Sequence, residues 1–217
     1  VIGREAMLAA DGAESSNVAI GQSSMGGVNN DSTAQNIAVG RNSLVGGTGA
    51  LTDSIAIGYF TADGTGSIGG ANNIFMGSNA GGGTWATSAS NKNVGIGVES
   101  MDAAMNGADD NTSVGYRSGS ALTTGDNNVF FGSNAGLAIT TGENNVLIGH
   151  AAGDAGTTIN NSVAIGKGAM GAVPSGQAVE NAVAIGVGAL AGSASTTDGI
   201  NNTVAVGYKA LEALTTG

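Results

Sequence analysis

One short motif that recurs along the whole chain constrains the fold more than any other feature. Residues 161–170 read NSVAIGKGAM, and variants of this stretch surround glycines spaced 17 to 21 residues apart. These anchor glycines are Gly3, Gly21, Gly40, Gly58, Gly77, Gly97, Gly115, Gly132, Gly149, Gly166, Gly186 and Gly207. Repeats of this size are too small to bury a core alone, so they are typical of solenoids and fibres in which neighbours stack. We expect residues 1–217 to form a single repeat array of about twelve 17–21-residue coils, a fragment of a longer fibre protein.

Each repeat begins with a predicted β-strand. The residue before the anchor is always apolar, and the residue three before it is β-branched in all eleven copies that reach it. This alternation, ended by glycine, predicts a short strand whose first and last side chains share a face. The 40 glycines and 4% aromatics leave little material for a conventional core, while the 41% of hydrophobic residues stand in register, unlike those of a disordered chain. The fold class is therefore all-β, a parallel β-roll or β-solenoid.

The middle residue of the strand is linked in size to the residue four places after the anchor. Where one is large the other is small, as in Ala164 with Met170 and Phe130 with Gly136. Two copies depart from this rule, Ala56 with Ala62 and Ser113 with Gly119. Such exchange is what a close-packed interior demands if both positions fill one pocket, and a small residue three places after each anchor implies a further inward position. Both faces of the strand therefore look buried, and because a coil encloses only one of them, we expect the second face to pack against another chain.

Asparagine marks the corner that enters the strand. It stands four or five places before the anchor in ten of eleven copies. Asparagine tolerates a left-handed backbone and can bond its own backbone in a turn, and stacked copies can form side-chain ladders. We therefore predict turns at these positions, with ladders along the stack.

Basic and aromatic residues concentrate just after the anchor. Five of six basic residues, all three tyrosines and the lone histidine occupy the first two positions after an anchor, whereas fourteen of sixteen acids lie in the connections. We call these residues the strip: Arg4, Arg41, Tyr59, Tyr116, Arg117, His150, Lys167, Tyr208 and Lys209. Stacking would align them into a surface able to contact saccharides or anionic groups. The alternative is an ordinary solvated position, since Gln22, Ser78 and Val98 also occupy it.

Several functional classes find no support in the sequence. A net charge of −10 argues against a nucleic-acid partner, and no apolar stretch approaches the length of a membrane span, so we expect no membrane insertion in this segment. Residues 166–171 fit a dinucleotide fingerprint but lack the following helix that would bind the pyrophosphate. The acidic turns at 109–111 and 126–128 match no calcium motif, and the chain has no cysteine and one histidine. We expect no enzyme activity, cofactor, metal or catalytic residue.

The repeats resemble those of two groups of trimeric surface proteins. Residues 161–166 (NSVAIG) and 54–58 (SIAIG) are similar to repeats in the head domains of trimeric autotransporter adhesins, where three chains form left-handed parallel β-rolls around a three-fold axis. Residues 123–129 (TTGDNNV) and 201–211 (NNTVAVGYKAL) are more similar to arrays in bacteriophage tail fibres. The period here is longer and less regular than in the adhesin heads, so coil geometry and handedness do not transfer.

This resemblance implies a homotrimer that forms an extracellular fibre, either a virion appendage or part of a bacterial cell surface. The leading functional prediction is a structural and adhesive segment of a phage tail fibre that contacts a host-surface glycan or protein. The head of a bacterial adhesin is the near alternative. An ice-binding β-solenoid is a further alternative of another class, although threonine is scattered rather than arranged in a continuous ladder.

Overall fold

The computed structural model describes residues 1–8, 14–28, 33–46, 49–65, 69–85, 87–173, 178–192 and 200–212. Within these ranges the chain forms short β-strands and turns, and no helix there is long and apolar enough to cross a membrane. The chain divides into two compact units, Val1–Asp110 and Asn111–Gly217, which are described separately. The all-β prediction is confirmed.

The first unit is a stack of parallel strands, each ending just before an anchor glycine. They are β1 Val18–Ile20, β2 Ile37–Val39, β4 Ile55–Ile57, β6 Ile74–Met76 and β7 Val94–Ile96. Each pairs in parallel with the next, and Ile2 adds a parallel bridge to Ile20. Two shorter strands in the connections, β3 Leu51–Thr52 and β5 Gly70–Ala71, also pair in parallel.

The second unit repeats this arrangement. Its main strands are β8 Thr112–Val114, β9 Val129–Phe131, β10 Val146–Ile148, β12 Val163–Ile165, β14 Val183–Ile185 and β15 Val204–Val206. Successive strands pair in parallel and in register. The connecting strands β11 Thr158–Asn160 and β13 Ala178–Glu180 form a second parallel pair. Both units are therefore parallel β-solenoids, as the repeat predicts.

The anchor glycines are required because the backbones of successive coils touch there. Gly166 has φ +133°, and a Cβ on it would lie 2.5 Å from the carbonyl oxygen of Gly186 in the next coil. Two and four places after the anchor the chain turns through left-handed conformations, as at Gly168 (φ 63°) and Met170 (φ 54°). Only glycine combines the anchor's φ with so close a backbone approach. Glycine therefore recurs at each position where the backbones of successive coils touch.

Within the repeat motif, the inward positions are the middle residue of each strand and the third and fourth residues after the anchor. Ala164, Ala169 and Met170 are all fully buried. A Cβ on Gly136 would come within 2.9 Å of the Phe130 ring, which confirms that these two positions share one pocket.

The two exceptions to the size rule are explained by neighbouring coils. A Cβ on Gly119 would lie 2.8 Å from Phe130, so the ring of one coil also fills the space beside Ser113 and Gly119 in the preceding coil. Ala56 pairs in register with Phe75, another large buried side chain. The exchange of volume therefore operates between coils as well as within them.

The predicted asparagine ladder is present inside both units. In the first unit the backbone N–H of Asn36 donates to Asn17 Oδ1 (2.9 Å), and that of Ser54 donates to Asn36 Oδ1 (3.0 Å). In the second unit Asn128 and Asn145 continue the pattern from Asn111, with N–H···Oδ1 distances of 2.9 and 3.1 Å. These side chains bond the backbone of the adjacent coil. The left-handed corner lies one residue earlier, as at Asn144 (φ 58°).

Candidate functional site

The first and last side chains of the main strands point away from the interior. In the second unit Val129, Phe131, Ile148, Ile165 and Ile185 remain between 36% and 56% exposed, although they are large apolar residues. The corresponding residues of β1, β2, β4, β6 and β7 in the first unit are exposed or half-buried. We call this surface of each unit the outer apolar face. Parallel sheets are normally covered on both faces, so a face of this composition is unusual in a lone chain.

The strip residues of the first unit lie on the outside, immediately beyond the anchor glycines. Arg4, Arg41 and Tyr59 are exposed. The guanidinium carbon of Arg41 lies 5.7 Å from the centroid of the Tyr59 ring, within cation–π range. Stacking of the coils therefore brings Arg41 and Tyr59 together, although 18 residues separate them in sequence.

The strip residues of the second unit are placed in the same way. Tyr116, His150, Lys167, Tyr208 and Lys209 are exposed. Arg117 differs from them because it is half-buried and its Nε atom is shielded from solvent. The backbone carbonyls of successive strip residues accept hydrogen bonds from the following coil, as in Gly168 N–H to His150 O (2.9 Å). The strip positions consequently form a continuous column within the unit.

The end of this column carries a local charge network. Lys209 Nζ lies 5.8 Å from the centroid of the Tyr208 ring and 3.0 Å from Glu212 Oε1. The hydrogen bond to Glu212 raises the pKa of Lys209. Tyr208 and Lys209 are exposed and Glu212 is only half-buried, so this contact contributes little to stability.

Two surface features were not predicted from the sequence. Phe60, beside Tyr59, packs edge-on against it with ring centroids 4.4 Å apart. The available signal was an aromatic residue two places after the anchor, where the flanking copies hold Asn42 and Asn79. The second feature is a polar cavity of about 310 Å³ in the connections of the second unit. Its lining comprises Thr141, Glu143, Asn144, Thr158, Asn160, Asn161 and Glu180.

Two carboxylates at equivalent repeat positions have pKa values shifted by burial. Asp63 and Asp154 each stand five residues after an anchor and are half-buried. Burial raises the pKa of Asp63, and burial likewise raises the pKa of Asp154 although the nearby His150 lowers it. Among the described residues, no three metal-binding side chains of the His, Cys, Asp and Glu types cluster together.

Comparison with known proteins assigns no family and no function to these surfaces. No protein-family model, curated protein or solved structure matches the chain. The outer apolar face and the strip are consequently the two surfaces from which a function can be inferred.

Proposed function

We propose that this chain is a structural and adhesive segment of a surface-attachment fibre, in which three copies pack their outer apolar faces together. The observation that carries the proposal is the outer apolar face, which runs through successive coils of each unit. Soluble monomers rarely expose contiguous apolar patches beyond about 300–600 Å², because each exposed Å² forgoes about 25 cal/mol of burial.

A further copy of the same chain is the partner that best fits this face. The face consists mainly of Ile and Val side chains and carries no charge that would need a complementary charge on a different protein. Equivalent copies supply equivalent apolar columns with the same coil spacing. The resemblance to trimeric fibre proteins favours three copies around one axis.

Adhesion would come from the strip. The strip residues project outside the coils and combine cationic and aromatic groups suited to contacts with glycans or proteins. Three copies would present each strip three times, which converts weak single contacts into avidity. We propose a bacteriophage tail fibre that contacts the host cell in this way, outside the cell and without a cofactor or catalytic step.

The solution mass of the chain tests the assembly directly. The chain has a mass of 20.7 kDa, and we expect about three times this value by multi-angle light scattering. Ile185→Lys should reduce the mass to that of one chain, because it places a charge in the outer apolar face. Val187→Lys is a matched control in the same coil, since Val187 lies in the strip column and is already 48% exposed. A folded wild-type monomer would refute the trimer.

Cell binding separates the phage fibre from its near alternative, the head of a bacterial adhesin. A labelled phage fibre segment should bind intact bacteria of a host strain, whereas an adhesin head should prefer animal cells or extracellular-matrix proteins. Binding to animal cells alone would replace the phage assignment. Thermal-hysteresis activity would instead support the ice-binding alternative, although the outer apolar face offers Ile and Val where an ice-binding surface needs a threonine ladder.

A further inference from the structure

Three side chains from two adjacent coils form the densest aromatic and cationic cluster described in the first unit. Arg41 lies over the ring of Tyr59, and Tyr59 meets Phe60 edge-on at an interplanar angle of 85°. Tyr59 is 48% exposed. We call Arg41, Tyr59 and Phe60 the aromatic platform.

Phe60 adopts a backbone conformation that is unfavourable for its side chain. Its φ is +52°, whereas the equivalent positions in the two flanking coils hold Asn42 (φ 53°) and Asn79 (φ 57°). Asparagine tolerates this region, but a bulky residue there is an outlier and bears a cost of roughly 1–2 kcal/mol. The left-handed backbone is common to this repeat position, as at Ser23 (φ 54°) and Glu99 (φ 56°), so what distinguishes Phe60 is its large aromatic side chain. Phe60 is half-buried, so part of it remains accessible beside Tyr59.

The platform offers two complementary kinds of contact. Aromatic rings present flat apolar surface with little conformational entropy to lose, which suits the C–H faces of sugar rings. A guanidinium presents a planar set of donors that matches a carboxylate or sulfate. Arg41 is exposed and makes no ion pair with a described residue, so it can reach such a group.

We propose that the aromatic platform binds an anionic sugar residue of a cell-surface polysaccharide. The sugar ring lies against Tyr59 and Phe60, and its acidic group accepts hydrogen bonds from Arg41. Gln22 and Ser78 occupy the strip positions of the flanking coils and supply polar contacts for sugar hydroxyls. The inference rests on the adhesive function proposed above and names its ligand class.

The overall negative charge of the chain opposes the binding of an anionic polymer. At a net charge of −10, a polyanion is repelled by the molecule as a whole, so non-specific attraction cannot account for binding. Binding to an anionic polymer would have to come from a local cationic site. Because Arg41 is exposed, salt should weaken that contact.

The test is a binding assay of the full 217-residue chain on immobilised polysaccharides. The probes are polygalacturonate, polysialic acid, dextran sulfate and neutral dextran. We expect binding to at least one anionic polymer, and binding to dextran that is at least roughly tenfold weaker, as loss of one charge-assisted hydrogen bond implies. Binding to none of the four, or equal binding to dextran, would overturn the proposal.

Variants separate the platform from general adhesion. Phe60→Asn restores the residue type of the flanking coils, so it should leave the melting temperature unchanged or higher while weakening polymer binding roughly tenfold. Arg41→Gln should abolish the preference for anionic over neutral polymer. Val98→Ala, at an exposed strip position of the same unit, should change neither property. Unaltered binding by Phe60→Asn would overturn the platform.

The outcome is independent of the assembly test. A protein of three chains that binds no polymer leaves the fibre proposal standing and removes the platform. A monomer whose polymer binding depends on Phe60 removes the fibre proposal and retains the platform as a saccharide site.

Discussion

The anchor column and the strip column are neighbours along every coil, yet they are under opposite constraints. At Gly166 any side chain would strike the backbone of the next coil, whereas Lys167, one residue later, extends into solvent. The anchor position is glycine in all twelve copies, while the next position ranges from Arg and Tyr to Ser and Val. The comparison shows that backbone contact between coils imposes the repeat, and that surface chemistry can vary without disturbing it.

The largest expected effect comes from placing a side chain in the anchor column. Gly166→Ala should destabilise the protein by about 4 kcal/mol or more, because it combines a glycine-only φ with a backbone clash. Gly168→Ala is the matched control. Its φ of +63° is also left-handed, but a Cβ there meets nothing within 4 Å, so we expect a cost of about 1–2 kcal/mol. Urea unfolding at fixed protein concentration measures both; equal losses would show that coil contact is not the constraint.

The shared interior pocket gives the next largest effect. Phe130→Ala should cost about 3–5 kcal/mol because it leaves a cavity in two coils. Adding Gly136→Met should recover part of that loss, since the reversed order of sizes already exists in Ala164 and Met170. A double-mutant cycle with additive losses would contradict a common pocket.

The buried ladder predicts an intermediate effect that depends on residue type. Asn128 bonds Asn111, Asn145 and the carbonyl of Gly142, so Asn128→Ala should cost about 2–3 kcal/mol by leaving buried polar groups without partners. Asn128→Ser should cost less, because Ser54 and Ser162 continue the ladder at equivalent positions. If the two variants unfold at the same denaturant concentration, the ladder contributes no more than local turn formation.

The smallest effect is the dependence of stability on pH at Asp154. Burial raises the folded-state pKa of Asp154 above the ordinary aspartate value of 3.8, so folding disfavours the charged form. The resulting penalty is present at neutral pH and disappears as the pH falls through the folded-state pKa towards 3.8. Asp154→Asn should therefore raise the melting temperature slightly at pH 7, and this gain should shrink as the pH falls through the folded-state pKa and be lost at lower pH. A gain in melting temperature that grows under acid conditions would show that folding does not raise the pKa of Asp154.

Much of this fold could be predicted because each structural requirement of a coil recurs at the same position of the sequence repeat. The strands, the inward position three after the anchor, the size exchange and the ladder all leave periodic patterns. What periodicity could not decide was which strand face lies inside. Both faces of a strand such as β12 are apolar, and the answer depends on the left-handed turns at Gly168 and Met170, which direct Ala164 inward and Ile165 outward.

The candidate site was predictable only as a column. Positions after the anchor identify Arg41 and Tyr59 as outward, but their contact depends on the alignment of two coils. Phe60 was missed because the strip was defined by basic residues, tyrosine and histidine, although an aromatic residue stands two places after Gly58. The polar cavity was missed because its residues belong to the irregular connections.

The in-register contact between anchor glycines also has an evolutionary consequence. Since each coil presents the same backbone surface above and below, as Gly149 does towards Gly166, unequal recombination can delete or duplicate a whole coil and leave its neighbours correctly joined. Such exchange would alter the order of strip residues in discrete steps while preserving the interior. A lineage built from these coils could thus change its surface specificity by rearranging existing units instead of accumulating point substitutions.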